Sequence, residues 1–445
     1  MRVWVDRLLR DGRMERGVLF EGGATGLVDA ESTGVRRPDD ALALDLAVPG
    51  LGNAHSHAFH RALRGRTHES GSFWTWRERM YRAAGRLEPD LYRRFATAVF
   101  SEMVAAGWTA VGEFHYVHHR PDGTPYPGHA MELALADAAE AAGIRLVLLD
   151  TCYLAGGIGG RPLSPEQRRF GDGDAARWLA RWQDLRETLS GRSPLVTLGA
   201  AIHSVRAVPR ADIRRIAAEL PADAPLHIHL SEQPAENEES LREYGVTPTV
   251  VLAEEGALTD RLSVVHATHL TADDIRLLGE ARAHVVFCPT TEADLGDGIG
   301  PAVELDGAGA RLAVGSDQNA VIDALLELRG LEAGERLRSL RRGRLTPEAL
   351  WRIGSAGGYG ALGLAAPARV GGPLDLVELQ DGSLRTAGSR PEQIVLTGTA
   401  ADVRRTVVGG RAMTTPPDTA EILGDVIQGI FEEPGAARAD GQERS

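Results

Sequence analysis

The chain contains no lysine; all 49 of its basic side chains are arginine. Schiff-base catalysis on a lysine amine is therefore excluded. So is a phosphate-binding loop of the Gly-Lys-Ser/Thr type. A carbamylated lysine bridging two metal ions cannot form either. Cysteine is nearly as scarce: Cys152 and Cys288 are the two present. They cannot build a disulfide framework, and we expect a cytoplasmic protein. No run of about 18 apolar residues occurs, so no membrane-spanning helix is expected. The opening stretch MRVWVDRLLRDGRM has no long apolar core, and we expect no secretory signal there. Positive charge is in deficit, with 49 basic against 62 acidic residues and a formal net charge of −13. An electrostatic nucleic-acid partner is thereby excluded. A small anionic substrate is not, because local guanidinium groups can outweigh the global charge.

What is present is a long, ordinary globular chain of 445 residues, 43% hydrophobic and 25% charged. Strand-like apolar runs recur at 43–57, 108–116, 143–151, 194–204, 224–232, 261–267, 283–290 and 310–317. Helix-like stretches such as 90–107 and 129–143 lie between them. This alternation predicts a parallel β/α architecture, and eight units predict a closed (β/α)8 barrel of the TIM type. Residues 1–47 and 369–415 are β-rich flanks expected to combine into one small β-sandwich. The barrel is expected over 48–368, and a helix with a disordered tail over 416–445.

Polar residues cluster at the C-terminal ends of the predicted strands, the face that carries the chemistry of such barrels. His55 and His57 end the first strand two residues apart, so they share one face. Glu113 and His115 end the second, His203 the fourth, His229 the fifth, His266 the sixth and Asp317 the eighth. Any one of these histidines alone would be read as structural. Together, three neutral imidazoles, one carboxylate and room for water describe a catalytic zinc or iron site. His227 and His229 share a strand face; His229 is preferred as ligand because it is nearer the strand end. Glu232 follows three residues later, placed to move protons without binding the metal. His115 could assist in the pocket. His118 and His119 are expected in loop structure, Cys288 buried and inert, and the glycine-rich 155–162 a loop near the mouth rather than a phosphate site.

This constellation resembles the amidohydrolase superfamily, in its mononuclear deaminase branch. The resemblance implies one zinc ion per subunit, with iron as the alternative, held by His55, His57, His229 and Asp317. It implies catalytic roles for Glu232, His266 and Asp317. Narrower motifs, HSHAFHRALRG, SFWTWRERMYR, EFHYVHH, AIHSVRAV, HIHLSEQ and CPTTEADLGDGI, resemble the formimidoylglutamate deiminases of histidine degradation. That resemblance covers about residues 48–345. It implies a small dicarboxylate substrate, N-formimidoyl-L-glutamate, deiminated hydrolytically. It implies substrate contacts from Arg77, Arg206, Tyr116 and His203. His60 stands where that family commonly has Gln, and we keep it as a substrate contact. The expected partners are the substrate and a second copy of the chain in a homodimer, with no nucleic acid and no membrane. Two other readings share these residues: a deaminase of another amidine or of a purine- or pyrimidine-like ring, and a barrel that binds ligand without turnover.

Overall fold

The computed structural model describes residues 1–67 and 73–432, without the side chains of 73–75. The expected disordered tail and the side chain of Trp74 lie outside the described residues.

Two sheets organise the chain. Strands β1 (Arg2–Arg10), β2 (Arg13–Gly22), β3 (Val28–Ser32) and β4 (Leu42–Pro49) come from the N-terminal end. Strands β5 (Leu51–Ser56), β6 (Trp108–His115), β7 (Arg145–Cys152) and β8 (Val196–Ser204) follow. They are continued by β9 (Leu226–Leu230), β10 (Leu262–His266), β11 (His284–Phe287) and β12 (Arg311–Val314). Strands β13 (Leu376–Leu379), β14 (Val403–Val408) and β15 (Arg411–Ala412) close the series. Both chain ends combine in one seven-stranded sheet, ordered β15-β14-β13-β4-β1-β2-β3. Its core is built by Val3, Val5, Phe20, Leu44, Leu376 and Val407.

The other sheet holds β5 to β12 in sequence order, all parallel. Strands such as β7 are buried along their whole length, as expected where helices cover one face and the barrel interior the other. The helix Pro89–Ala105 shows how the outer layer forms. Proline opens it at a position whose N–H needs no partner, and Tyr92, Phe95, Ala96, Val99 and Met103 make one buried stripe.

The barrel closes between β5 and β12. Asp317 N donates to His55 O at 3.0 Å, and His57 N donates to Asp317 O at 2.9 Å. A Cβ on Gly315 would stand 2.7–2.9 Å from the backbone and Cβ of His55, so only glycine permits this approach. The expected first strand over 43–57 is in fact two strands divided at Gly50. A side chain there would collide with Thr109, Asp375 and Tyr359 at 2.6–2.8 Å. The break sends β4 into the outer sheet and β5 into the barrel. Asp375 ties the two sheets together, accepting from Arg145 at 3.0 and 3.2 Å, Tyr359 Oη at 2.6 Å and Gly409 N at 2.7 Å.

Among the described residues, no helix is long and apolar enough to cross a membrane.

Candidate metal centre and its cavity

The closing seam carries the site. His55 lies at the end of β5 and His57 just after it, His229 lies in β9, and Asp317 follows β12 across the seam. Their ligand atoms converge within 4.8 Å of one another, all buried. His229 Nε2 is 3.2 Å from His55 Nε2 and 3.3 Å from His57 Nε2. Asp317 Oδ1 is 3.3 Å from His55 Nε2 and 3.4 Å from His57 Nε2. Ligands about 2.0–2.1 Å from a tetrahedral zinc ion stand about 3.3–3.4 Å apart, so these spacings match the edges of that tetrahedron.

The hydrogen bonds give a second, independent test. His57 Nδ1 is 2.9 Å from Phe114 O, and His229 Nδ1 is 2.9 Å from His203 O. A carbonyl only accepts, so both Nδ1 atoms carry hydrogen, and in the neutral rings both Nε2 atoms are lone pairs. Burial, then the neighbouring imidazoles, push both rings well below the usual histidine pKa, which keeps them neutral. Two lone pairs facing each other repel unless a cation lies between them. The donor set therefore fits a metal ion, with its outer nitrogens oriented by backbone carbonyls.

Around this cluster the backbone is strained. His266 and Asp317 have φ of 70° and 43°, and Ser231 beside Glu232 has φ of 50°. Such left-handed positions cost of order 1 kcal/mol each for residues other than glycine and concentrate at functional sites.

His266 stands outside the four-ligand group. Its Nε2 is 3.8 Å from Glu232 Oε1 and 3.9 Å from Asp317 Oδ2; its Nδ1 is 3.4 Å from Glu292 Oε1. Burial lowers its pKa, but Glu232, Glu292 and Asp317 outweigh that and raise it to about 10.

The cluster floors a cavity of about 450 Å³. Arg77 and Arg206 both line it, and with them Tyr116, His203, His60 and Glu232. Arg77 lies over the Tyr81 ring at 5.3 Å and donates from Nε to Tyr81 Oη at 2.7 Å. His60 Nε2 and Tyr116 Oη are 3.0 Å apart, while His60 Nδ1 is buried without a partner. Burial, then Arg206 and Arg77, lower the His203 pKa far below its usual value and leave a neutral ring.

One expectation resolves differently, and two neighbouring strand residues find structural places. His115 does not reach the pocket. Its neighbour Phe114 packs on His55, His57 and His229, so the strand alternation turns His115 outward against Tyr92 and Glu132. Glu113 supports rather than lines the site, accepting from Ala58 N at 2.6 Å. His227, one layer below His229, is 2.8 Å from Ala361 O and is not among the four ligands.

A second grouping, His115, His118 and Glu132, has metal-like spacing. His118 faces Glu132 at 2.8 Å through Nδ1 and Thr151 O at 2.9 Å through Nε2, both acceptors, so it is an imidazolium. Arg181 also pairs with Glu132 at 3.2 Å. This is a closed ion network, not a cation site. Cys288 is buried, and burial raises its thiol pKa well above the usual value.

The sequence reading missed Gln318, Tyr153 and Glu236, all on the cavity wall. Gln318 accepts from Trp76 Nε1 at 3.0 Å, and Tyr153 Oη accepts from Gln167 at 2.8 Å. Their available signals were adjacency to Asp317 for Gln318 and a four-residue step from Glu232 for Glu236.

A model described as "Amidohydrolase family" matches residues 46–413. A formimidoylglutamate deiminase from Pseudomonas aeruginosa is 37% identical over 431 residues, covering 92% of this chain and 93% of that protein. An 8-oxoguanine deaminase from the same organism is 30% identical over 382 residues, covering 82% and 81%. The crystal structure of an amidohydrolase from Brucella melitensis superposes with a TM-score of 0.90 at 31% identity, covering 97% of this chain and 100% of that one.

Proposed function

The chain belongs to the amidohydrolase family, and from that premise we propose that it is a metal-dependent deiminase converting N-formimidoyl-L-glutamate and water to N-formyl-L-glutamate and ammonia. The observation that carries this is the placement of two guanidinium groups, Arg77 and Arg206, on the wall of the cavity floored by the four-ligand cluster. Guanidinium groups bind carboxylates in bidentate fashion, and two of them suit a dicarboxylate. The P. aeruginosa relative, named for the same reaction, supports the choice of substrate.

His55, His57, His229 and Asp317 would hold one divalent ion, with zinc favoured by three imidazoles, one carboxylate and tetrahedral spacing. When bound, that ion supplies a Lewis acid that makes water a competent nucleophile near neutral pH. Everything else falls to the chain. Arg77 and Arg206 fix the two carboxylates, with Tyr116, His203 and His60 as hydrogen-bonding partners, and so place the formimidoyl carbon for attack. Water adds to that carbon. Glu232 accepts one water proton and passes it to the terminal nitrogen, leaving a tetrahedral carbon that bears OH and NH2; it then carries the hydroxyl proton to the same nitrogen, so the C=O forms as the C–N bond breaks and ammonia leaves. His266, with Glu232 and Asp317 within 4 Å of its Nε2, orients both carboxylates.

The reaction is tested by ammonia release from N-formimidoyl-L-glutamate, run beside adenosine and 8-oxoguanine. We expect turnover of the amidine alone. Preferential turnover of a purine would replace this substrate with a ring deamination at the same centre.

A further inference from the structure

Arg206 sits between two carboxylates of its own chain. Its Nη2 is 3.4 Å from Glu232 Oε2, and its Nε is 3.5 Å from Glu236 Oε2. Sequence spacing creates this arrangement. Glu232 lies two residues before the helix Pro234–Tyr244, and Glu236 lies in its first turn, so both carboxylates meet the guanidinium arriving from the turn after β8.

Glu236 is the unusual member. It is 2% exposed, and neither of its carboxylate oxygens has a hydrogen-bond partner. Arg206 Nε, facing it, has none either. Burial pushes the Glu236 carboxyl up, and the Arg206 charge opposes that shift. A buried carboxylate with one ion pair, to Arg206, and the Ser231 backbone N–H beside it is costly to maintain. Its cation is the group assigned above to a substrate carboxylate, and both side chains line the cavity.

We propose that Glu236 is the positioning residue for Arg206: it anchors the guanidinium through Nε and thereby directs the Nη edge to a substrate carboxylate. This rests on the dicarboxylate reading of the site. A guanidinium offers two edges for bidentate binding. With Nε turned to Glu236, the edge that remains is Nη1/Nη2. A substrate carboxylate then competes with Glu232 for Nη2, while Glu236 keeps Arg206 from following Glu232. Without the Glu236 charge, Glu232 is the one carboxylate left on Arg206. The guanidinium then closes on Glu232, which withdraws the clamp from the substrate. The effect is on binding, because a saturating dicarboxylate still displaces Glu232.

The test is E236Q, which preserves shape and an acceptor oxygen but removes the charge. It is measured on the metal-loaded enzyme by steady-state kinetics with N-formimidoyl-L-glutamate and by calorimetric titration with glutarate. We expect KM to rise about tenfold, kcat to stay within about threefold, and glutarate affinity to fall by a factor similar to the KM change. In an R206M background, E236Q should change neither kcat/KM nor glutarate affinity further. If E236Q folds poorly, E236D keeps the charge but withdraws it by one methylene, and should raise KM in the same direction by less.

A fall in kcat at constant KM would overturn the proposal and place Glu236 in proton transfer. An equal loss in the R206M background, or no change at all, would also overturn it. The glutarate titration needs no turnover. If the wild type binds glutarate with this Arg206-dependent response yet leaves N-formimidoyl-L-glutamate intact, the reaction assigned above fails while the positioning role stands. If the wild type does not bind glutarate, the clamp and the proposal fail together.

Discussion

His57 and His229 meet nitrogen to nitrogen at 3.3 Å, and each directs its other ring nitrogen at a backbone carbonyl 2.9 Å away. Neither Nε2 can donate to the other, so a cation is the group that reconciles them. We expect purified protein to carry about one equivalent of transition metal per chain, read by elemental analysis. H229A should retain under about a tenth of that and lose at least about 10³-fold in kcat/KM, because a three-ligand remnant binds weakly. Full metal occupancy in H229A would place the ion elsewhere.

Glu232 is near the cluster without belonging to it. Replacing it with Gln should therefore leave the metal content unchanged and lower kcat by about 10²–10⁴-fold, the range of general acid–base catalysis. Loss of metal in that variant would make Glu232 a ligand instead.

The two cavity arginines should matter through the carboxylates of the substrate. R77M and R206M should each reduce kcat/KM for N-formimidoyl-L-glutamate by about 30-fold or more, as loss of a charge partner at a partly desolvated site costs about 2–5 kcal/mol. Analogues lacking one carboxylate should be insensitive to one of the two substitutions. A uniform loss across all analogues would show that the arginines shape the cavity without binding carboxylates.

Acid stability has its own signature in the network beneath the cavity. Burial would raise the Asp172 carboxyl, but Arg181 at 2.8 Å and His119 at 3.0 Å hold it well below the usual carboxylate range. Its folded pKa is lowered, so its contribution is complete above the unfolded value of about 3.9 and is lost as pH falls below it. D172N should thus cost about 3 kcal/mol at pH 7. By denaturant unfolding, the gap to wild type should narrow below about pH 4. A gap of constant size from pH 7 down to pH 3 would contradict this.

Much of this was legible in the sequence because barrel strands and their C-terminal polar residues leave local signals. His55 and His57 share a face by strand periodicity alone, and Glu232 follows His229 by a fixed step. What escaped depended on contacts between distant segments. The break at Gly50 is imposed by Thr109, Tyr359 and Asp375, none of which is near it in sequence. The outward turn of His115 follows from the parity of β6, which becomes known only once Phe114 is seen against the rings of His57 and His229. Glu236 lies in the acidic run SEQPAENEES, which by composition reads as a solvated surface; only burial beside Arg206 distinguishes it.

The most direct measurement is the mass of the product formed from N-formimidoyl-L-glutamate in ¹⁸O-labelled water. We expect N-formyl-L-glutamate carrying one labelled oxygen in its formyl group, with one ammonia released per turnover. Formamide and glutamate in their place would show that the other C–N bond breaks, and would contradict the assignment of the terminal nitrogen as the group that Glu232 protonates.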